Sequence, residues 1–338
     1  DAGNQIEKFG CSLEARYLQI FKGDEIEFPE DGYQGEDIKD LAKEYADLNG
    51  DSLVNVSAEE RKKALVDYAL PKNIKKMQAD MEKYKIFYDK WFFESELHKS
   101  GAVKAVVDLL TEKGLTYEKE GAVWYKNKEV LTQKLLKEGK SQKYIDNLEL
   151  KDDVLIRQNG NPTYFTADIA YHKNKFDRGF TTLIDVWGAD HHGHVMRMKG
   201  AMDAIGYDGD KLNVVLMQLV KLVKDGELVR MSKRTGKAIQ LGDLLDEVPV
   251  DSARFLFNTK EANTQMDFDL DLAVSQDNQN PVYYVQYAHA RICSIFKSLA
   301  KEGISPRECT DAELALLTAP EEKELINHLA SYTNEIIS

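Results

Sequence analysis

Cysteine is scarce in this chain: three residues in 338, Cys11, Cys293 and Cys309, far apart and without a CxxC pair. An odd number of distant thiols supports neither a disulfide framework nor a zinc ribbon, and it points to a reducing cytoplasm. Long apolar runs are also missing. Nothing approaches the roughly 20 residues of a membrane span, and no signal-peptide pattern is present, so no membrane partner is expected. Internal repeats and low-complexity tracts are absent. Positive charge is in deficit, with 45 Lys and Arg against 58 Asp and Glu and a net charge of −13. That balance argues against non-specific nucleic-acid binding, yet local basic patches can still hold an RNA, so charge alone does not decide. The first residue is Asp1 rather than Met, and the chain stops at Ser338 inside an apolar-periodic stretch. It is expected to be a fragment.

What is present is an ordinary globular composition, 43% hydrophobic and 30% charged, long enough for a large core and about two domains. Two segments carry most of the chemistry. Residues 183–194, LIDVWGADHHGH, read as a buried strand that stops at Gly188 and delivers Asp190, His191, His192 and His194 to its carboxyl end. That edge is where open parallel sheets bind nucleotides, and a helix is predicted to follow over 195–205. Residues 228–236, LVRMSKRTG, form a glycine-bounded loop carrying Met231, Ser232 and Lys233. A lysine and a small hydroxyl on such a loop are the pieces that clamp a phosphate during transfer. The tripeptide is common, but its setting is specific. Two alternating strands in 219–231, joined by Asp225-Gly226, predict a tight hairpin that aims the loop back at a sheet edge.

Elsewhere the pattern predicts mostly helices. One lies within 1–22 with Leu13, Tyr17 and Ile20 on a face, and a second spans 36–48. A third starts at the Ser57–Glu60 capping pair and breaks at Pro71, and a fourth covers about 72–84. Residues 28–88 thus read as a solvated helical insertion without identifiable chemistry. Residues 90–95 read as a buried strand, Ser100 as the cap of a helix ending at Gly114, and 121–125 and 154–158 as strands. Residues 162–166 lead into a further helix, and 241–248 and 251–258 are helical. The stripe Val282, Val285, Ala288, Ile292, Ile295 and Leu299 predicts a long helix opened by Pro281 and stopped by Gly303.

The strand end and lysine loop resemble the GxDxxxH and KMSKS signatures of class I aminoacyl-tRNA synthetases, with Arg230 in the first place of the second. Within that class the chain is similar to the arginyl family over nearly its whole length. The stretches are DAGNQ at 1–5, FPEDGYQGE at 28–36, FESEL at 93–97, TYFTADIAYH at 163–172, WGADHHGH at 187–194, MSKRTG at 231–236 and NPVYYVQYAHARI at 280–292. The resemblance implies an α/β fold, a doubly wound parallel catalytic sheet over 1–280 with the insertion at about 28–88. The start of an α-helical anticodon-binding domain then follows over 281–338. It implies arginine–tRNA ligase activity, with arginine, ATP carrying Mg²⁺ and tRNA(Arg) as partners, no tightly bound cofactor, and a cytoplasmic monomer.

By the same resemblance Lys233, Ser232 and Met231 are catalytic, and Gly188, Asp190, His194, Val229 and Lys233 hold ATP. Tyr164, Asp168, His191 and Glu94 hold arginine. The chemistry agrees, because a guanidinium is planar, always charged and calls for a carboxylate plus further acceptors. The spacing of Tyr164 and Asp168 places them at a strand end and the first turn of a helix. Asp168 would there also stabilise the helix N-terminus. A metal site built from Asp190 and the three histidines, as in a phosphohydrolase, is the rival chemistry; adjacent helical residues do not face one another, and no HxxxH spacing occurs. A non-catalytic nucleotide- or RNA-binding relative is the other alternative. The HxGH signature of the class is absent from these residues, so the chain by itself is expected not to charge tRNA.

Overall fold

Three helices open the chain and bury one another's apolar faces: α1 (Asn4–Lys22), α2 (Glu36–Asn49) and α3 (Ala58–Lys83). This computed structural model describes residues 1–229 and 239–337, which divide into units Asp1–Ser275 and Gln276–Ser338. The segment expected at 28–88 to be a solvated insertion instead shares a core with α1, with Leu13, Tyr17, Ile38, Leu41, Ala42, Leu65 and Ala69 packed together. The most buried phenol inside it is partnered, as burial requires, although the Tyr68 hydroxyl at its edge has no hydrogen-bond partner among the described residues. The Tyr17 hydroxyl donates to the Gly50 carbonyl at 2.8 Å and accepts from the Leu53 amide at 3.1 Å. Ser57 caps α3 through the Glu60 amide. Pro71 does not break that helix, which runs through it for 26 residues. The proline costs about 3 kcal/mol, set against the burial of Leu65 and Ala69 in the turns that precede it.

The central part positions the site. Helices α4 (Glu94–Lys99) and α5 (Ala102–Glu112) lead to the antiparallel sheet β1 (Thr116–Lys119), β2 (Ala122–Tyr125) and β3 (Asp153–Ile156), with α6 (Asn127–Lys137) and α7 (Gln142–Asn147) between the last two strands. Then come α8 (Tyr164–Asp177), β4 (Leu183–Gly188), α9 (His192–Ile205) and β5 (Leu212–Met217). Strands β4 and β5 pair in parallel from Leu183 opposite Leu212 to Gly188 opposite Met217, so β4–α9–β5 is the parallel α/β unit. The core beneath it contains Val106, Leu110, Tyr125, Leu155, Ile169, Met198, Met202 and Leu212. β4 is buried on one face only: Leu183 and Asp185 point inward, while Ile184 and Val186 are 67% and 66% exposed. Among the described residues β5 alone pairs with it, and no element covers the second face.

The hairpin forms as predicted. β6 (Val220–Lys224) and β7 (Glu227–Leu228) are antiparallel, with Asp225 and Gly226 at φ 53° and 75°, the left-handed pair that a two-residue turn needs. β6 also pairs in parallel with β8 (Met266–Asp269), a strand the sequence pattern did not single out. α10 (Leu241–Glu247), α11 (Val250–Phe257) and α12 (Leu270–Val274) complete the first unit.

Residues 90–95, expected as a strand, form none. Their aromatic side chains instead pack singly, Phe92 stacking on Tyr171 at 4.6 Å, and Glu94 opens α4. The cap of α5 is Gly101, in the left-handed conformation, rather than Ser100. The second unit holds α13 (Pro281–Lys301), α14 (Asp311–Leu314) and α15 (Pro320–Ile337). Asn280 caps α13 through the Val282 amide. The predicted helix of 281–302 is there, and its stripe residues Val285, Ile292 and Ile295 are exposed.

Candidate active site

The start of α8 is tied to β3 by its own sequence. Thr163 Oγ1 donates to the Val154 carbonyl, Thr166 Oγ1 to the Leu155 carbonyl, and the Thr163 amide to Leu155 as well, all at 2.8 Å. Phe165 and Ile169 face the core, which leaves Tyr164 and Asp168 on the other side. Both lie within the helix rather than across a strand end, since Tyr164 is its first residue. Four residues apart on a helix, they share a face one turn from each other.

β4 stops at Gly188, a single turn of 3₁₀-helix follows, and α9 starts at His192. The helix thus takes in His192 and His194, three residues earlier than the sequence suggested. A cleft of about 840 Å³ opens between this strand end and α8. Tyr164, Asp168, Gly188, Asp190, His191 and His194 all line it, together with Arg157, Trp187, Asp153 and Arg197. The residues assigned to arginine and to adenosine therefore meet in one cavity, apart from three groups. Glu94 is not among the lining residues and faces His98 at 3.4 Å. Val229 lines a separate, smaller pocket with Lys224 and Asp243. Met231, Ser232 and Lys233 lie outside the described residues.

Within the cleft, His194 Nε2 is 3.5 Å from Asp168 Oδ2, and the imidazole ring is held between Phe165 (5.4 Å) and Trp187 (5.2 Å). Asp168 keeps about half its side-chain surface exposed, so an incoming cation can reach it. Asp190 is 82% exposed, and its carboxylate folds back so that a Cβ on Gly188 would meet Oδ1 at 2.5 Å. Only a residue without a side chain lets the strand end and that carboxylate approach so closely.

The sequence reading missed Arg197 and Asp153, which form an ion pair across the floor of the cleft, with the guanidinium 5.0 Å over Phe165. Burial pushes the Asp153 carboxyl above its ordinary value, and Arg197 opposes this only in part. The available signal was helical spacing, because Arg197 follows His194 by three and so shares its face. It also missed the buried group beneath α8, His172 with Asp185 of β4, whose second oxygen accepts from Lys175 at 2.6 Å. Burial works against ionisation of Asp185. Hydrogen bonds and charge from His172 and Lys175 outweigh it and hold the carboxyl below its ordinary value.

A group with a depressed folded-state pKa contributes stability above its unfolded pKa and loses it as pH falls through the folded value. Asp185→Asn is therefore expected to cost about 1–2 kcal/mol at pH 7. The difference from wild type should shrink as pH falls below about 4. Urea midpoints across that range check this, and a gap that widens in acid would contradict it.

The family of tRNA synthetases class I (R), catalytic domain, matches residues 36–293, and the DALR anticodon binding domain matches residues 285–338. The chain belongs to the class I tRNA synthetases. Its relatives there are arginyl enzymes. The arginine–tRNA ligase of Ruminiclostridium cellulolyticum is 55% identical over 338 residues, covering 99% of this chain and 57% of that protein. That of Caldanaerobacter subterraneus is 56% identical over 337 residues, with the same shares. A crystal structure from Campylobacter jejuni superposes with a TM-score of 0.74 at 37% identity, covering 90% of this chain and 62% of that one. Thermus thermophilus arginyl-tRNA synthetase shares the fold, with a TM-score of 0.65 at 19% identity over 96% of this chain and 61% of that one. The chain spans a little over half the length of the curated relatives it matches.

Proposed function

We propose that this chain carries the arginine- and adenosine-binding part of an arginine–tRNA ligase. The reading rests on one observation: Tyr164 and Asp168, one turn apart on α8, share a cleft with the Gly188–Asp190–His194 strand end. Asp168 pairs with the substrate guanidinium and Tyr164 adds a hydrogen bond. His191 lies near the amino-acid ligand. Gly188 admits the adenosine closely, Asp190 accepts from its ribose hydroxyls, and His194 lines the same wall. The arginine carboxylate attacks the α-phosphorus of ATP, which enters with Mg²⁺, and pyrophosphate leaves. A terminal ribose hydroxyl of tRNA then attacks the arginyl carbonyl carbon, and AMP leaves. Lys233, with Ser232 and Met231 on the same loop, faces the phosphates and stabilises charge in the first step.

In this reading residues 1–280 serve catalysis, and 281–338 begin the part that holds the anticodon. The protein works as a monomer in the cytoplasm, where charged tRNA is consumed. Among the described residues no helix is long and apolar enough to cross a membrane. The direct test is charging of tRNA(Arg) with labelled arginine by the complete protein. Stable arginyl-tRNA supports the reading. A protein that binds the tRNA and neither activates nor transfers arginine would replace it with a non-catalytic role.

A further inference from the structure

We infer that His172 is a positioning residue, holding the turn of α8 that carries Asp168 in place against the strand that carries Gly188. The inference rests on Asp168 being the guanidinium partner and adds a residue that acts through it. His172 lies one turn after Asp168 and is 3% exposed. Its Nδ1 is 2.7 Å from the Asp168 carbonyl oxygen, and its Nε2 meets the Asp185 carboxylate. A carbonyl and an ionised carboxylate only accept hydrogen bonds. The ring spans the two, with one nitrogen at each.

Neither bond is needed to build the helix. A carbonyl inside an α-helix has its ladder partner four residues on, so the bond from Nδ1 takes the second lone pair of Asp168. The other end of the imidazole is fixed to β4 rather than to α8, because Asp185 stands three residues before Gly188 and pairs in register opposite Val214 of β5. Lys175 fixes the remaining Asp185 oxygen at 2.6 Å. Trp187 of the same strand meets the His172 ring edge-on at 6.3 Å and packs against His194, which faces the Asp168 carboxylate. His172 thus touches the backbone of Asp168 from below, and its neighbour Trp187 supports the histidine that touches the carboxylate from above.

Stability alone is a poor reason for such a cluster. Burying charge costs desolvation, and apolar residues of similar size commonly serve a core as well or better. Directional contacts to one carbonyl and one strand do something apolar packing cannot: they set the height and rotation of the Asp168 turn. A site that recognises a planar cation needs its carboxylate held closely, because misplacement of about 1 Å costs much of the interaction.

The experiment compares two substitutions that keep different halves of the imidazole. In His172→Asn the side-chain amide takes the place of Nδ1 and keeps a donor to Asp168. In His172→Gln it reaches the place of Nε2 and keeps only the donor to Asp185. Both lose one buried hydrogen bond, so a merely structural role predicts similar stability losses and similar kinetics. The inference predicts a split in the complete enzyme, read by arginine-dependent pyrophosphate exchange with tRNA present. H172Q raises KM for arginine on the order of 10-fold, about 1.4 kcal/mol. H172N stays within about threefold, and KM for ATP moves little in either variant.

Equal KM for arginine in the two variants, or parallel rises for arginine and ATP, would overturn the assignment. Should H172Q not fold, His172→Leu, of similar size and likewise without the donor to the Asp168 carbonyl, carries the same expectation for arginine. Asp168→Ala, run in parallel, separates the two levels. Lost arginine binding in D168A with an unmoved H172Q rejects the positioning role alone. Unchanged binding in D168A rejects both.

Discussion

Asp168→Ala should weaken arginine binding by about 2 kcal/mol or more, on the order of 30-fold, with KM for ATP nearly unchanged. Removing one partner of a hydrogen-bonded charge pair commonly costs 2–5 kcal/mol, most of it when the remaining charge stays buried. Asp168 keeps about half its side-chain surface in solvent, which places the expected loss in the lower part of that range. The substitution also releases His194, whose Nε2 faces the carboxylate at 3.5 Å. The Asn variant isolates charge from shape: Asp168→Asn keeps an acceptor oxygen and loses the ion pair, and it should fall between wild type and Ala. Isothermal titration of arginine into the complete protein reads both. Wild-type affinity in the Ala variant would remove Asp168 from the site.

Lys233→Ala should lower kcat for adenylate formation by about 10²-fold or more, with a smaller change in KM for ATP. In the proposed reading Lys233 meets charge that develops on the phosphates as pyrophosphate departs. Such an interaction is stronger in the transition state than in the bound substrate, so its loss falls on the rate. Single-turnover measurement of adenylate formation distinguishes the cases. A variant with raised KM for ATP and unchanged kcat would make Lys233 a binding residue only.

Much of the candidate cleft was readable in the order of residues because its parts are local. Gly188, Asp190 and His194 fall within seven residues, Tyr164 and Asp168 within five, and each group is carried by one strand end or one helix turn. Asp225-Gly226 announced its hairpin for the same reason: a type I′ turn demands φ above zero at both positions, which Asp-Gly supplies. What escaped depends on contacts between distant segments. The Arg197–Asp153 pair links α9 to β3, and the His172–Asp185 pair links α8 to β4. No periodicity in either segment marks such a pairing. The β8 strand was hidden because its partner β6 lies more than forty residues earlier. Two local rules were overridden by packing. Pro71 stayed inside a helix that buries Leu65 and Ala69, and Trp91 and Phe92 found ring partners in place of a neighbouring strand. Glu94 followed from that second error: expected at a strand end, it begins a helix and faces His98.

The central claim is that this cleft selects arginine through the charge of its guanidinium. Citrulline has nearly the same shape as arginine and carries a neutral urea group in place of the cation. The most direct measurement is therefore pyrophosphate exchange by the complete protein, with tRNA present, driven by arginine or by citrulline. The account predicts exchange with arginine, and with citrulline a kcat/KM lower by about two orders of magnitude or more, because Asp168 would then face a group that cannot form an ion pair. Comparable exchange with the two amino acids would contradict it.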